Sequence, residues 1–82
     1  MNTVKGMVVK STAGRDSGGY FVATEVSDDR ILIADGGERP LERPKKKNPK
    51  HISPTGMRID TDGLTNKRLR RLLGELLNKA ET

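Results

Sequence analysis

Glycine interrupts the first β-forming part of the chain, and this interruption limits the folds that the sequence allows. The segment Ser11–Phe21 reads S-T-A-G-R-D-S-G-G-Y-F and joins two β-rich runs, V-K-G-M-V-V-K at 4–10 and Y-F-V-A-T-E-V at 20–26. Glycine adopts the positive φ angles that a tight reversal needs. The sequence therefore predicts two strands joined by a chain-reversing loop.

A nucleotide-binding loop is the alternative interpretation of the same glycines. A P-loop requires a Lys-Ser/Thr pair after its last glycine and a helix that begins there, whereas Gly19 is followed by Tyr20 and a predicted strand. The spacing of Gly14, Gly18 and Gly19 also departs from the dinucleotide-binding fingerprint. The pattern favours a turn over a cofactor site, and no cofactor is predicted.

The residue inventory argues against catalysis and against metal binding. The chain has no cysteine and a single histidine, His51, which excludes thiol chemistry, disulfides and histidine clusters. Asp28, Asp29 and Asp35 occur in turn sequences, where aspartate is expected for backbone hydrogen bonding. His51 has no evident nucleophile or orienting partner and is interpreted as a polar strand residue or a ligand contact. We therefore expect no enzyme activity and no metal site.

The middle of the chain predicts further short strands. Residues 30–34 form a third β-rich run, and the Asp-Gly turn after it is a strong hairpin signal that predicts a fourth strand at 38–43. The segment 43–50 contains two prolines and four lysines and is expected to break regular structure, before a last short strand at 51–53 that Pro54 closes. Residues 55–64 are interpreted as a linker.

The C-terminal segment predicts an amphipathic helix. Leu69, Leu72, Leu73, Leu76 and Leu77 recur at helical spacing, so a helix is expected over 66–79 with Thr65 or Asn66 as its N-cap. The leucine face has three interpretations, namely closure of the protein's own core, a protein partner, or a membrane surface.

The predicted fold class is mainly β: a small barrel or half-open sheet over residues 1–54, then the linker and a helix with its tail at 65–82.

Positive charge is concentrated in the second half of the chain. The net charge of the 82 residues is +5, with a balance of −2 over residues 1–38 and +7 over residues 39–82. Residues 39–51 carry six of the sixteen basic residues and one acid, Glu42. Such a density predicts an anionic partner, with phosphates the obvious candidates, although a merely solvated loop is the alternative.

The N-terminus lacks the apolar core of a signal peptide and no apolar run is long enough for a membrane span, so a cytoplasmic protein is expected.

A family resemblance adds to this interpretation. Eleven residues look like the KOW motif, in which apolar residues flank a central glycine in a strand-loop-strand unit: Gly6, Val8, Val9, Ser11, Ala13, Gly14, Arg15, Asp16, Gly18, Phe21 and Val22. The segments 31–37 and 45–51, together with Arg39, also resemble the small bacterial KOW-domain RNA-binding proteins and, more distantly, KOW-type large-subunit ribosomal proteins. The likeness covers about residues 4–54, and it departs from the family at Gly18-Gly19, where a basic residue commonly follows the loop glycine.

The resemblance implies an SH3-like barrel that binds RNA in connection with the ribosome or translation. The contacts that it implies are Lys10, Arg15, Arg39, Arg43, Lys45, Lys46, Lys47, Lys50 and His51. A second set lies at the start of the helix, where basic charge does not favour the helix dipole: Lys67, Arg68, Arg70 and Arg71. The alternative function is a protein-interaction module of the transcription or translation machinery that docks through the barrel or the helix.

The aromatic residues restrict how RNA would be recognised. Tyr20 and Phe21 are the only aromatic side chains, and as neighbours in a strand they point to opposite faces, so at most one can stack on a base. We therefore expect contacts to the backbone of structured RNA with little sequence discrimination. The same shortage excludes an aromatic cage for methyl-lysine.

Overall fold

Short antiparallel strands and one C-terminal helix make up the protein. The structure, a computed structural model, describes residues 3–81, and of residues 77 and 79–81 only the backbone. The elements are β1 Met7–Ser11, β2 Tyr20–Val26, β3 Ile31–Ala34, β4 Lys45–Lys47, a 3₁₀ turn Pro49–His51, β5 Ile52–Arg58 and α1 Asn66–Glu81. The predicted fold class is confirmed: the protein is mainly β, with a small barrel-like sheet and a C-terminal helix.

The sheet has β2 at its centre. Its five strands follow the order β4-β3-β2-β1-β5, and every neighbouring pair is antiparallel. In the β1–β2 pair, Val9 lies opposite Phe21 and Lys10 lies opposite Tyr20. Because β5 returns to β1 across the 3₁₀ turn, the sheet curls on itself and encloses a core.

The inner face of the sheet carries one hydrophobic cluster. Alternate residues of the strands point to the same face, and the buried inner residues are Met7, Val9, Phe21, Ala23, Ile31, Ile33 and Ile52. The expectation that one of the two aromatic residues belongs to the core is therefore confirmed for Phe21.

The outer face of the same strands is covered by α1. Val8, Val22 and Ala34 alternate with the inner residues and are buried against Leu69 and Leu73 of the helix. Leu72 and Leu76 pack against this cluster while partly exposed; the side chain of Leu77 lies outside the described residues. The leucine face therefore closes the protein's own core, which was one of its three predicted interpretations.

The start of α1 is fixed by two side chains with different tasks. Thr65 Oγ1 accepts a hydrogen bond from the amide of Arg68 at 3.2 Å, so Thr65 is the N-cap. Asn66 instead ties the helix to the preceding β3–β4 connection: its Oδ1 accepts from the amide of Leu41 at 2.8 Å and its Nδ2 donates to Glu42 Oε1 at 2.7 Å.

The prediction of a fourth strand at 38–43 is wrong, because the chain closes a compact loop there. Asp35 Oδ1 accepts from the amides of Gly37 and Arg39, at 2.8 and 3.0 Å. Only Gly36 has a positive φ in this turn, so it is not the predicted hairpin turn with two such residues. An added Cβ at Gly36 would collide with the carbonyl oxygen of Asn66, which shows how closely the loop approaches the helix. The fourth strand is β4, inside the segment expected to be irregular.

The last strand is longer than predicted. Pro54 does not close it, because β5 pairs with β1 alone among the described strands and an edge strand tolerates a residue without an N–H. Thr55 Oγ1 donates to the carbonyl oxygen of Val8 at 2.7 Å, and pairing continues to Arg58. The predicted linker therefore begins inside the sheet. Residues 1, 2 and 82 of the predicted domain and tail lie outside the described residues.

Leu69 tests the packing of the helix on the sheet. Leu69→Ala removes a side chain with 0% exposure and should lower the free energy of unfolding by about 2–5 kcal/mol, through lost burial and a residual cavity. Leu72→Ala is the matched control, since that side chain is partly exposed and should cost less. Denaturant unfolding measures both, and equal small losses would contradict this packing.

Candidate nucleic-acid interface

The glycine-rich segment forms the β1–β2 loop, residues 12–19. The amide of Ser11 donates to the carbonyl oxygen of Gly19 at 2.9 Å, and the amide of Gly18 donates to the carbonyl oxygen of Ser11 at 2.8 Å. Gly14 and Gly18 have φ angles of +87° and +89°, which side-chain-bearing residues rarely adopt. The predicted chain-reversing loop is confirmed.

Asp16 connects this loop to β4 by ion pairs with two lysines. The Lys47 ammonium donates to Asp16 Oδ1 at 2.8 Å and to the carbonyl oxygen of Ala13 at 2.6 Å. The Lys45 ammonium lies 3.1 Å from Asp16 Oδ2, outside good hydrogen-bonding geometry, so this contact is an ion pair. The Ser11 hydroxyl lies 3.1 Å from Asp16 Oδ1 and donates towards it. The lysine strand is therefore fastened to the glycine loop.

The charge state of Asp16 follows from these contacts. Burial of the carboxyl opposes its ionisation and alone would raise its pKa, but the contacts with the Lys47 and Lys45 ammonium groups and with the Ser11 hydroxyl outweigh that effect and hold the pKa of Asp16 well below its ordinary value. Asp16 is thus a carboxylate throughout the neutral pH range.

The lysine run divides into buried and exposed members. Lys47 is 7% exposed and Lys45 27% exposed, whereas Lys46 is exposed because it points to the other face of β4. Lys50 and His51 are exposed on the 3₁₀ turn, which Asn48 caps by accepting the amide hydrogen of Lys50 at 2.9 Å.

One end of the barrel collects six of the thirteen predicted contacts. The amide of Thr12 donates to the carbonyl oxygen of His51 at 2.9 Å, which joins the β1–β2 loop to the 3₁₀ turn. We call the β1–β2 loop, β4 and the 3₁₀ turn together the loop end. Four exposed residues lie at the loop end, namely Arg15, Lys46, Lys50 and His51.

Lys10 and Tyr20 form a small feature on the neighbouring outer face of the sheet. The Lys10 ammonium lies 5.8 Å from the centroid of the Tyr20 ring, in a cation–π arrangement. Tyr20 is half-buried and packs against the outer cluster. The Tyr20 ring, the one aromatic ring still available for stacking on a base, is thus partly covered by the protein itself.

The remaining predicted contacts lie near the helix. Arg39 and Arg43 belong to the β3–β4 connection, with Arg39 half-buried and Arg43 exposed. Arg70 donates from Nη1 to the carbonyl oxygen of Gly36 at 2.5 Å, so its guanidinium fastens that connection to the helix. Lys67, Arg68 and Arg71 are exposed and line a groove with Gly63 and Thr65. Apart from Lys10, the predicted contacts therefore form two groups, one at the loop end and one along the helix and the β3–β4 connection.

The other chemical features of the chain remain simple. Across the described residues, no three His, Asp or Glu side chains come together as a metal site. No helix within residues 3–81 is long and apolar enough to cross a membrane. A comparison with known protein families finds no family model that matches the chain.

Asp16 is the residue that sequence analysis missed as an organiser of this site. In a glycine-rich loop an aspartate has the appearance of an ordinary turn residue. The signal that points to it is the alternation of side chains along a strand, which places Lys45 and Lys47 on one face of β4. Two ammonium groups on one face repel each other unless a carboxylate lies between them.

Asp16 should also contribute to the stability of the fold. Asp16→Asn leaves the Lys47 ammonium buried without a counter-charge and should lower the free energy of unfolding by about 3 kcal/mol at pH 7. Because the folded-state pKa is depressed, the stabilisation is present above the unfolded-state value of about 3.9 and is lost as pH falls below it. Urea unfolding from pH 7 to pH 2 should show the two proteins converging at low pH; a constant difference would contradict this role.

Proposed function

We propose that the protein is a non-enzymatic RNA-binding module that contacts the phosphate backbone of structured RNA through the loop end. The resemblance to KOW-domain proteins supports this function and suggests an association with the ribosome or translation. A cytoplasmic location fits the same proposal.

The observation that carries the proposal is the excess of exposed positive charge at the loop end. Among the described residues, both ion pairs involve Asp16 and use Lys45 and Lys47. Arg15, Lys46 and Lys50 are exposed and have no carboxylate within ion-pair distance in that part of the chain. Exposed cations that are not neutralised internally can replace the counterions condensed on a nucleic acid, which is the main source of affinity for its backbone.

The manner of binding follows from the side chains present. Lysine and arginine recognise phosphates by charge and hydrogen bonding, without information on the base. Tyr20 is the one aromatic side chain outside the inner core, and its ring is half-buried beside Lys10. Shape and backbone recognition of a folded RNA therefore fits this surface better than recognition of single-stranded bases.

For the alternative of a protein partner, which would dock through the barrel or the helix, the helix offers little free apolar surface. Docking through the helix would need the leucine face, but Leu69 and Leu73 are buried against the sheet. Deletion of the helix would expose that core and destabilise the barrel, so the helix cannot be removed to test for a protein partner. We therefore base the proposal on RNA.

Two exposed cations of the loop end test the proposed function. Arg15→Gln/Lys50→Gln leaves the Asp16 ion pairs intact and should weaken binding to an RNA hairpin. The slope of log affinity against log salt should become shallower by about 0.7–0.9 for each phosphate that the variant no longer neutralises. Fluorescence anisotropy over a series of salt concentrations measures both quantities, with a matched duplex DNA and an unstructured RNA as competitors.

The charge-matched control is Lys5→Gln/Arg58→Gln. Lys5 precedes β1 and Arg58 ends β5, where it donates to the Lys5 carbonyl oxygen, so both lie at the opposite end of β1 from the β1–β2 loop. This variant removes the same net charge and should retain the wild-type salt slope. Equal losses in both variants would reduce the effect to net charge, and an unchanged slope in Arg15→Gln/Lys50→Gln would contradict the proposed function.

A further inference from the structure

We propose that Asp16 is a positioning residue for RNA binding, which fixes the Lys45 ammonium and the Arg15 loop in place before the RNA arrives. The inference rests on the proposed function and identifies which acidic residue that function requires. A carboxylate within a phosphate-binding surface is unfavourable by charge alone, so its presence needs a separate reason.

The first step is a charge balance. One carboxylate, Asp16, faces two ammonium groups, on Lys45 and Lys47, so the group of three retains one positive charge. Lys47 is 7% exposed and uses two of its donors on Asp16 and Ala13, so a ligand cannot readily reach it. The Lys45 side chain is 27% exposed, and its ammonium lies 3.1 Å from Asp16 Oδ2. The excess charge is therefore accessible at Lys45.

The second step is the restraint on that charge. An exposed lysine must lose the freedom of its long side chain when it binds a phosphate, which reduces affinity. The Lys45 ammonium is already restrained in the free protein by its contact with Asp16 at 3.1 Å. Because its ammonium is restrained in advance, Lys45 loses less side-chain entropy on binding a phosphate than Lys46, its exposed neighbour in β4.

The third step concerns Arg15. This residue is exposed and precedes Asp16 in the β1–β2 loop. Lys47 holds both sides of Arg15, since it donates to the carbonyl oxygen of Ala13 and to the carboxylate of Asp16. The backbone on which Arg15 stands is thereby fixed relative to β4, so Arg15 and the Lys45 ammonium are held in one framework.

The decisive experiment separates positioning from charge. Asp16→Asn/Lys47→Met keeps the net charge of the wild type and leaves no buried unpaired charge, but it removes the connection between loop and strand. Positioning predicts that binding to an RNA hairpin becomes about three- to tenfold weaker, with a shallower salt slope. The control Asp28→Asn/Lys5→Gln makes the same charge change at two exposed positions and should bind like the wild type. Thermal unfolding monitored by circular dichroism establishes that each variant is folded at the temperature of the assay.

A second comparison remains informative if the double variant does not fold. Lys45→Gln and Lys46→Gln each remove one charge from adjacent residues of β4, and Asp16 keeps its bond to Lys47 in both. Exposure alone predicts that Lys46 matters more, whereas a restrained Lys45 predicts that Lys45→Gln weakens binding about threefold more than Lys46→Gln.

The outcomes are distinguishable. If the wild type fails to bind the hairpin in a salt-dependent way, the proposed function is wrong and the inference falls with it. If the wild type binds but a folded Asp16→Asn/Lys47→Met variant binds as tightly or more tightly, RNA binding stands and the positioning role is overturned. An effect of Lys46→Gln equal to or larger than that of Lys45→Gln would overturn it as well.

Discussion

The carboxylate of Asp16 is the contact on which the loop end of this barrel depends. It joins a glycine-rich loop, which has few side chains of its own to pack, to a strand of three consecutive lysines, which has little intrinsic tendency to form a strand. The ion pair with Lys47 is buried, so separating its members would leave a charge without water or a partner. The ion pair therefore stabilises the loop and the strand against separation, and the exposed cations on both share one framework.

The sequence predicted those parts of the fold that have a simple periodicity. The first three strands and the helix were found because β-branched residues, turn residues and leucines repeat at the spacing of the element that they form. β4 was missed because Lys45–Lys47 has no such pattern and is a strand through pairing with β3 and the contact with Asp16. The extension of β5 was missed because Pro54 signals a strand end, although an edge strand tolerates it.

The candidate site was proposed from charge density, which drew attention to the lysine run, but the contacts of its residues were not predictable. The sequence does not distinguish Lys45, Lys46 and Lys47 from one another. Strand alternation separates them, since Lys46 points to the outer face while the other two meet Asp16. Arg70 is similar: it belongs to the predicted basic face of the helix, but its guanidinium holds the β3–β4 connection at Gly36. Tertiary contacts of this kind carry no local signature.

We propose that RNA phosphates bind at the loop end, and a nuclear magnetic resonance titration is the sharpest test of that binding. A ¹⁵N-labelled sample of the full chain would be titrated with an RNA hairpin at low and at high salt. Amide shift changes should be concentrated in residues 12–19 and 45–51, and they should decrease markedly at high salt. Changes confined to the β2–β3 turn at 27–30, or no changes at low salt, would contradict it.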